Sequence, residues 1–406
     1  MRIGSKAVAV AAVACLNIGT AVAQVHTLTL PEVLARARDQ APAIISARLA
    51  SDEARARLVG ASRRLQTNPE VEALVGNRTA PETRFTDVEV GVGQTFEPRS
   101  RRTATIAGAN AAILQSAANV DDVTRSVLRA AASAYFRTVY ATERITLLAA
   151  TQDLAQNVYA IADRRFRAGD IAVLDVNIAR AAAARVKAER EGAEATKALA
   201  LGELRQLLRL DTDLEVNGSL SRSATADLPA ALQSAAQRPE LRALEAAIEE
   251  ADADVRLGLS FSKPEYGVGV RYAREEGDQI LRGGVTVTLP LFSAGQGQRA
   301  MASARATRLR AELDAARIQA RSEVRAAFDA YHRRLAAVTV LEAEAIPGLD
   351  ENEQLTTRSF EVGQIGLPTL LLIRHEILET RSAHLTALLE AALAGVDLDA
   401  AAGVLR

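Results

Sequence analysis

Tryptophan is absent, cysteine occurs once and histidine four times in 406 residues. The one cysteine, Cys15, sits in an N-terminal segment, so the rest of the chain offers no disulfide and no thiolate metal ligand. Charge of one sign is also missing in excess, because 50 acidic residues face 49 basic ones with no block of like sign. That balance argues against a nucleic-acid binder, which needs a basic surplus. Past the N-terminal segment no run of 18 apolar residues occurs, so no helix is expected to span a bilayer. Aromatics reach only 3%, whereas alanine recurs throughout. Small side chains favour long helices packed at close range over a bulky core. With 49% hydrophobic and 24% charged residues, the chain is neither a disordered tail nor a bundle of membrane helices.

Motifs of catalysis fail on inspection. "HEILE" at His375 begins like a zinc-protease helix, but that helix needs a second histidine four residues on, where Glu379 stands. The next histidine, His384, lies nine residues on and on a different helical face. "GVGQTF" from Gly91 holds two glycines of a dinucleotide loop, has Phe96 in place of the third, and precedes no βαβ unit. Nucleophile elbow and phosphate loop are both missing. The chain reads as no enzyme, with no catalytic, cofactor-binding or metal site. The Glu and Arg pairs over 298–345 read as a solvated helix face.

The N-terminus carries an address. Arg2 and Lys6 precede an apolar run from Ala7 to Leu16, and "TAVAQ" places Ala21 and Ala23 around a cleavage point before Gln24. Residues 1–23 therefore read as a secretory signal peptide. Cys15 after "AVA" leaves lipoprotein processing open as the alternative.

What the chain has in abundance is itself. "RRFRAGDIAVLDVNIARA" from Arg164 returns as "RSFEVGQIGLPTLLLIRHE" from Arg358, 194 residues later. "LPEVLARARDQAP" from Leu30 resembles "LPAALQSAAQRP" from Leu228, and "RAAASAY" ending at Tyr135 resembles "RAAFDAY" ending at Tyr331. We read two repeats, 24–210 and 228–406, separated by a Gly-Ser-Asp-rich linker over 211–227. Each repeat opens with an amphipathic helix, expected over 31–66 and 229–258. Next comes a β-hairpin, over 70–96 and 264–292, in which Val71, Ala73, Val75, Val88, Val90 and Val92, then Tyr266, Val268, Val270, Tyr272, Val285 and Val287, alternate with polar or glycine residues. Period two with one apolar face is a strand between two media. Long helices follow, expected over 103–167 and 171–210, then 298–362 and 366–394, with Pro347-Gly348 as a break. At 1.5 Å per residue the first would run about 100 Å. Gly169 and Gly363 lie between the paired helices and let each stop and turn back, at tips near 166–171 and 360–366.

Strands of this length, tilted, match the height of a bilayer, yet four cannot close a barrel and an open edge in hydrocarbon leaves backbone groups unpaired. Several protomers must then share one barrel, and three would supply twelve strands. Phe85, Phe96, Phe261, Tyr266, Tyr272 and Phe292, six of fourteen aromatics, gather in or beside the strands as interfacial girdles do. A soluble two-sided sheet is the other reading of these features.

At these residues the chain resembles the TolC-like outer membrane efflux proteins, over nearly its whole length beyond the signal and in duplicate. The two tip segments carry the resemblance, together with "GVGQTFEPRSRR" and "VTLPLFSAGQGQR" at the strand-to-helix junctions. Its compact length is most like the CzcC-type cation-efflux branch. The resemblance implies a mainly α fold with a small β part, in a homotrimer with a twelve-stranded outer membrane barrel and a periplasmic tunnel of long coiled-coil helices. It also implies a periplasmic adaptor, an inner-membrane transporter of the RND type, contact with outer membrane lipid and none with nucleic acid. Adaptor docking would fall on the tips, at Phe166, Ala168, Gly169, Asp170, Phe360, Val362, Gly363 and Gln364. The third tip position is polar in both copies, where relatives carry an apolar residue. Thr369 and Leu372 stand where some relatives place constriction aspartates, so no acidic ring is expected there. Arg164, Arg165 and Arg167, facing Asp170 and Asp175, are candidate links that hold the tip shut, or else solvated surface charges. The expected function is a passive exit duct for heavy-metal cations, with organic toxins or polypeptides as alternative cargo. A periplasmic coiled-coil adaptor or scaffold is the rival of another class, and duplication of the whole unit argues against it.

Overall fold

The computed structural model describes residues 26–79, 81, 84–221 and 227–405; the signal and the Cys15 alternative lie outside these. Nine α-helices and six strands follow one another in two parallel series among the described residues. The first series is β1 (His26–Leu28), α1 (Leu30–Gln40), α2 (Pro42–Ala61), β2 (Glu70–Thr79), β3 (Arg84–Phe96), α3 (Arg99–Arg167) and α4 (Val173–Leu208). The second is β4 (Leu214–Val216), α5 (Leu228–Ala235), α6 (Pro239–Ser260), β5 (Glu265–Glu275), β6 (Asp278–Thr288), α7 (Gln296–Val340), α8 (Leu349–Glu361) and α9 (Leu367–Ala402).

Each opening helix, expected as one piece, is two. Ala41 before Pro42 (ψ 127°) and Arg238 before Pro239 (ψ 144°) leave the helical region, because a proline ring clashes with an α-conformer at the preceding residue. A new helix then starts with proline in its first turn, where no N–H is needed. The first pair ends at Ala61 and not near 66. The break expected at Pro347-Gly348 is also longer, since a π turn over Leu341–Ala345 precedes it and Gly348 lies at φ +82°. Helix α9 runs to Ala402, beyond the expected 394, and ends at Gly403 in the left-handed region (φ +72°). The linker holds an unforeseen element: β4 pairs in parallel with β1, His26 opposite Leu214.

At 69 residues, α3 is about 100 Å long. Its buried alanines recur every seven residues at Ala104, Ala111 and Ala118. So do Ala179, Val186, Ala193 and Ala200 of α4, and Val324, Tyr331 and Val338 of α7. A seven-residue recurrence keeps one seam of a helix against its neighbour. The largest core cluster lies around the midpoint of α3, where Val33, Ile44, Leu128, Phe136, Leu204, Leu208 and Val396 join α1, α2, α3, α4 and α9. Fully burying a Leu or Phe contributes about 2–3 kcal/mol, so this cluster fixes the repeats to one another. At the far end of α3 the two hairpin tips share a second core of Val158, Val176, Phe360, Leu367 and Leu370.

The four longer strands form one antiparallel sheet in the order β2-β3-β5-β6. Helices enter and leave it at one end, and the two hairpin turns lie at the other. The outer edges of β2 and β6 have no strand partner among the described residues.

Candidate functional site

Two surfaces stand out, one at each end of the molecule. The first is the sheet. Residues directly opposite one another across a ladder share a face, and the register puts Val71 with Val92 and Val270, Ala73 with Val90 and Tyr272, and Val268 with Val285. This whole apolar face is bare: Val71, Val75, Val270, Leu281 and Val285 all have half or more of their surface exposed. On the opposite face run Glu72, Gly91, Arg271 and Arg282 in one row, and Gly93, Gly269 and Gly284 in the next. A contiguous exposed apolar patch of this extent marks contact with lipid or protein. The strand β6 ends at Thr288 before Pro290, which cannot donate to a ladder.

The second surface is the pair of tips. Helix α3 stops by a Schellman motif: Asp170 N–H donates to Arg165 O (2.9 Å) and Gly169 N–H to Phe166 O (2.9 Å), with Gly169 at φ +85°. The second tip repeats this bond for bond, with Gln364 N–H to Ser359 O (2.8 Å), Gly363 N–H to Phe360 O (3.1 Å) and Gly363 at φ +76°. Open space surrounds the Cα of both glycines, so backbone geometry alone calls for glycine there. The two phenylalanines part company. Phe360 is 8% exposed in the shared tip core, while Phe166 is 41% exposed. Val173, Leu174 and Val362, in or just after the two tips, are also exposed apolar residues.

The arginines near the first tip do not reach the aspartates within the protomer. Arg167 pairs with Asp163 (2.7 Å), and the Arg165 guanidinium lies 5.2 Å from the centre of the Phe360 ring. Among the described residues Arg164, Asp170 and Asp175 have no ion-pair partner. The first repeat's Arg180 stacks over Tyr159 at 5.5 Å. Its counterpart Arg374 donates to Leu154 O (3.3 Å) and to Thr357 Oγ1 (3.2 Å), stitching α9 to α3 and α8. Burial pulls the Arg374 guanidinium below its usual value. The sequence showed Arg374 only as a repeat position; its role as a stitch needs the contact between repeats. Thr369 and Leu372 sit one turn apart on α9, both exposed. His375 Nδ1 is 4.0 Å from Glu379, and among the described residues no group of three His, Cys, Asp or Glu is placed to hold a metal ion.

This arrangement, a four-stranded wall mounted on two very long helical hairpins, is that of TolC-like outer membrane channels. The Campylobacter jejuni CmeC outer membrane channel superposes with a TM-score of 0.78 at 17% identity, over 92% of this chain and 85% of that one. CusC does so with a TM-score of 0.75 at 16% identity, over 92% and 91%. In sequence, the chain is 26% identical over 345 residues to the cobalt-zinc-cadmium resistance protein CzcC of Cupriavidus metallidurans, covering 83% of this chain and 81% of that protein. The Outer membrane efflux protein family matches residues 33–208. Over those residues the chain is similar to the outer membrane efflux proteins, and the second repeat carries the same order of elements. The family is one of channels and not of enzymes.

Proposed function

We propose that this protein is the exit duct of a tripartite efflux system, seated in the outer membrane and reaching into the periplasm. One observation carries the reading: a sheet with one bare apolar face and two outer edges that no strand pairs among the described residues, set on long helices of which α3 runs about 100 Å. A lone four-stranded sheet cannot rest in lipid with its edges open. Pairing β2 of one copy with β6 of the next satisfies both edges, and three copies close a ring of twelve strands with the apolar face outward. The helices of three copies then form a coiled-coil tunnel, and their six tips meet a periplasmic adaptor that connects to an inner-membrane transporter of the RND type. Phe166, Ala168, Gly169, Asp170, Val362, Gly363 and Gln364 supply that docking surface, and Phe360 supports it from the core beneath. Thr369 and Leu372 line the constriction. Arg164 and Asp175, free within the protomer, are left for links between neighbouring copies.

The similarity to a cobalt-zinc-cadmium resistance protein makes divalent cations the first cargo to test. A deletion strain and its complement are compared for tolerance and cell content of zinc, cobalt, cadmium, nickel, copper and silver beside dyes and antibiotics. Sensitivity confined to divalent cations supports cation efflux; sensitivity confined to organic compounds removes that cargo and leaves the duct.

A further inference from the structure

The face of the sheet opposite the apolar one holds a built side-chain clasp. Arg271 projects from β5, yet its guanidinium reaches past β3 to Glu72 on β2, with Nη2 3.0 Å from the carboxylate. It bonds Glu89 on β3 at 3.3 Å on the way. Adjacent strands are about 4.8 Å apart, so the Arg271 and Glu72 side chains together bridge two strand spacings across β3. Glycine makes this possible: a Cβ at Gly91 would come 2.9 Å from Arg271 Cγ. Toward the helices the same face continues as glycine, at Gly93, Gly269, Gly284 and Gly267. Toward the hairpin turns it becomes acidic. Along the four strands this face carries the carboxylates Glu70, Glu72, Asp87, Glu89, Glu275 and Asp278 against the guanidiniums Arg78, Arg271 and Arg282; Arg78 pairs with Asp87 and Arg282 with Glu275, and Glu265 is set aside because Arg101 pairs with it.

We propose that Arg271 is a specificity-determining residue of the duct, a cation folded flat onto the inner wall that holds the bore open and partly offsets Glu72 and Glu89. The inference rests on the barrel reading above, in which this face lines the passage. Laid flat, the side chain takes up little of the lumen. Its single positive charge offsets one of the two carboxylates, and six carboxylates against three guanidiniums leave this face three negative charges in excess per protomer, so the passage prefers cations by field and not by coordination. Low-dielectric walls focus such a field along the axis. Threefold repetition makes each substitution count three times.

The test is single-channel recording of the full chain in planar bilayers under a potassium chloride gradient. The wild type is expected to give a reversal potential on the cation side. Arg271→Ala uncovers Glu72 and Glu89 and is expected to raise the cation-to-anion permeability ratio about twofold. Glu72→Gln keeps the guanidinium and is expected to lower the ratio by a similar factor. Gly91→Val lifts Arg271 off the wall and is expected to reduce conductance while shifting the ratio toward anions. Shifts of opposite sign cannot come from a generally damaged barrel. A wild-type reversal potential and conductance in Arg271→Ala and Glu72→Gln alike would overturn the proposal while the duct stands. No conductance from the wild type at all would overturn the duct, and the filter with it.

Discussion

At the scale of single residues, the two tips show how one sequence sentence takes on two meanings. Gly169 and Gly363 hold the same left-handed turn, and an alanine at either meets open space but costs about 1–2 kcal/mol in backbone strain. Gly169→Ala is expected to lower thermal stability by that amount, read by circular dichroism, with Gly169→Asn closer to wild type. The phenylalanines three residues earlier behave differently. Phe360→Ala empties part of the tip core and is expected to cost about 3 kcal/mol, whereas Phe166→Ala costs under about 0.5 kcal/mol and weakens adaptor capture instead. A melt beside a pull-down separates the two. Farther up, Arg238 is 5% exposed and paired with Glu240 and Glu323, each at 2.8 Å. Burial raises the Glu323 carboxyl, but hydrogen bonds from Arg238 and Gln319 outweigh it and hold the group below its usual value. A lowered acid contributes stability that is complete above its unfolded value near 4.5 and lost as pH falls through the folded one. Glu323→Gln is therefore expected to melt lower at neutral pH and to lose less of its stability on acidification below the unfolded value near 4.5.

Among elements, the sheet makes the sharpest prediction. Val285→Arg puts a charge on the apolar face and is expected to cost about 2–4 kcal/mol of membrane insertion, depleting the outer membrane fraction. Thr286→Arg, one residue along on the other face, is expected to insert normally. Both faces were legible in the sequence because strand alternation has a period of two and needs no partner to be read. The clasp of Arg271 on Glu72 was not, since it depends on a register across three strands that no local pattern fixes. The tip glycines were legible for the same local reason that they work. The breaks at Pro42 and Pro239 were visible as prolines yet passed for helix, because proline is at home in a first turn and a one-residue gap leaves the apolar stripe almost unbroken. The three-residue strands β1 and β4 carry no periodicity at all, and the π turn before Pro347 has no local signal that distinguishes it from α-helix. Burial of Phe360 but not Phe166 follows from how α8 and α9 settle on α3, a contact between repeats that neither repeat encodes alone.

For the whole molecule, the free edges set the terms. Past Cys15 the chain has no cysteine, so pairs of introduced cysteines on β2 and β6 form a clean probe of neighbouring copies. Oxidation is expected to yield a ladder that ends at three chains; a ladder that ends at two would overturn the threefold ring. Before such a ring closes, each new chain carries its bare valine face and two strand edges through water, where both invite pairing with any extended segment they meet. The yield of channels is then a race. Capture of one chain by another depends steeply on how many arrive together, while off-route aggregation and proteolysis need no correct partner. A strain that makes this protein slowly would lose channels out of proportion to the protein it fails to make, though each finished channel is as durable as any other.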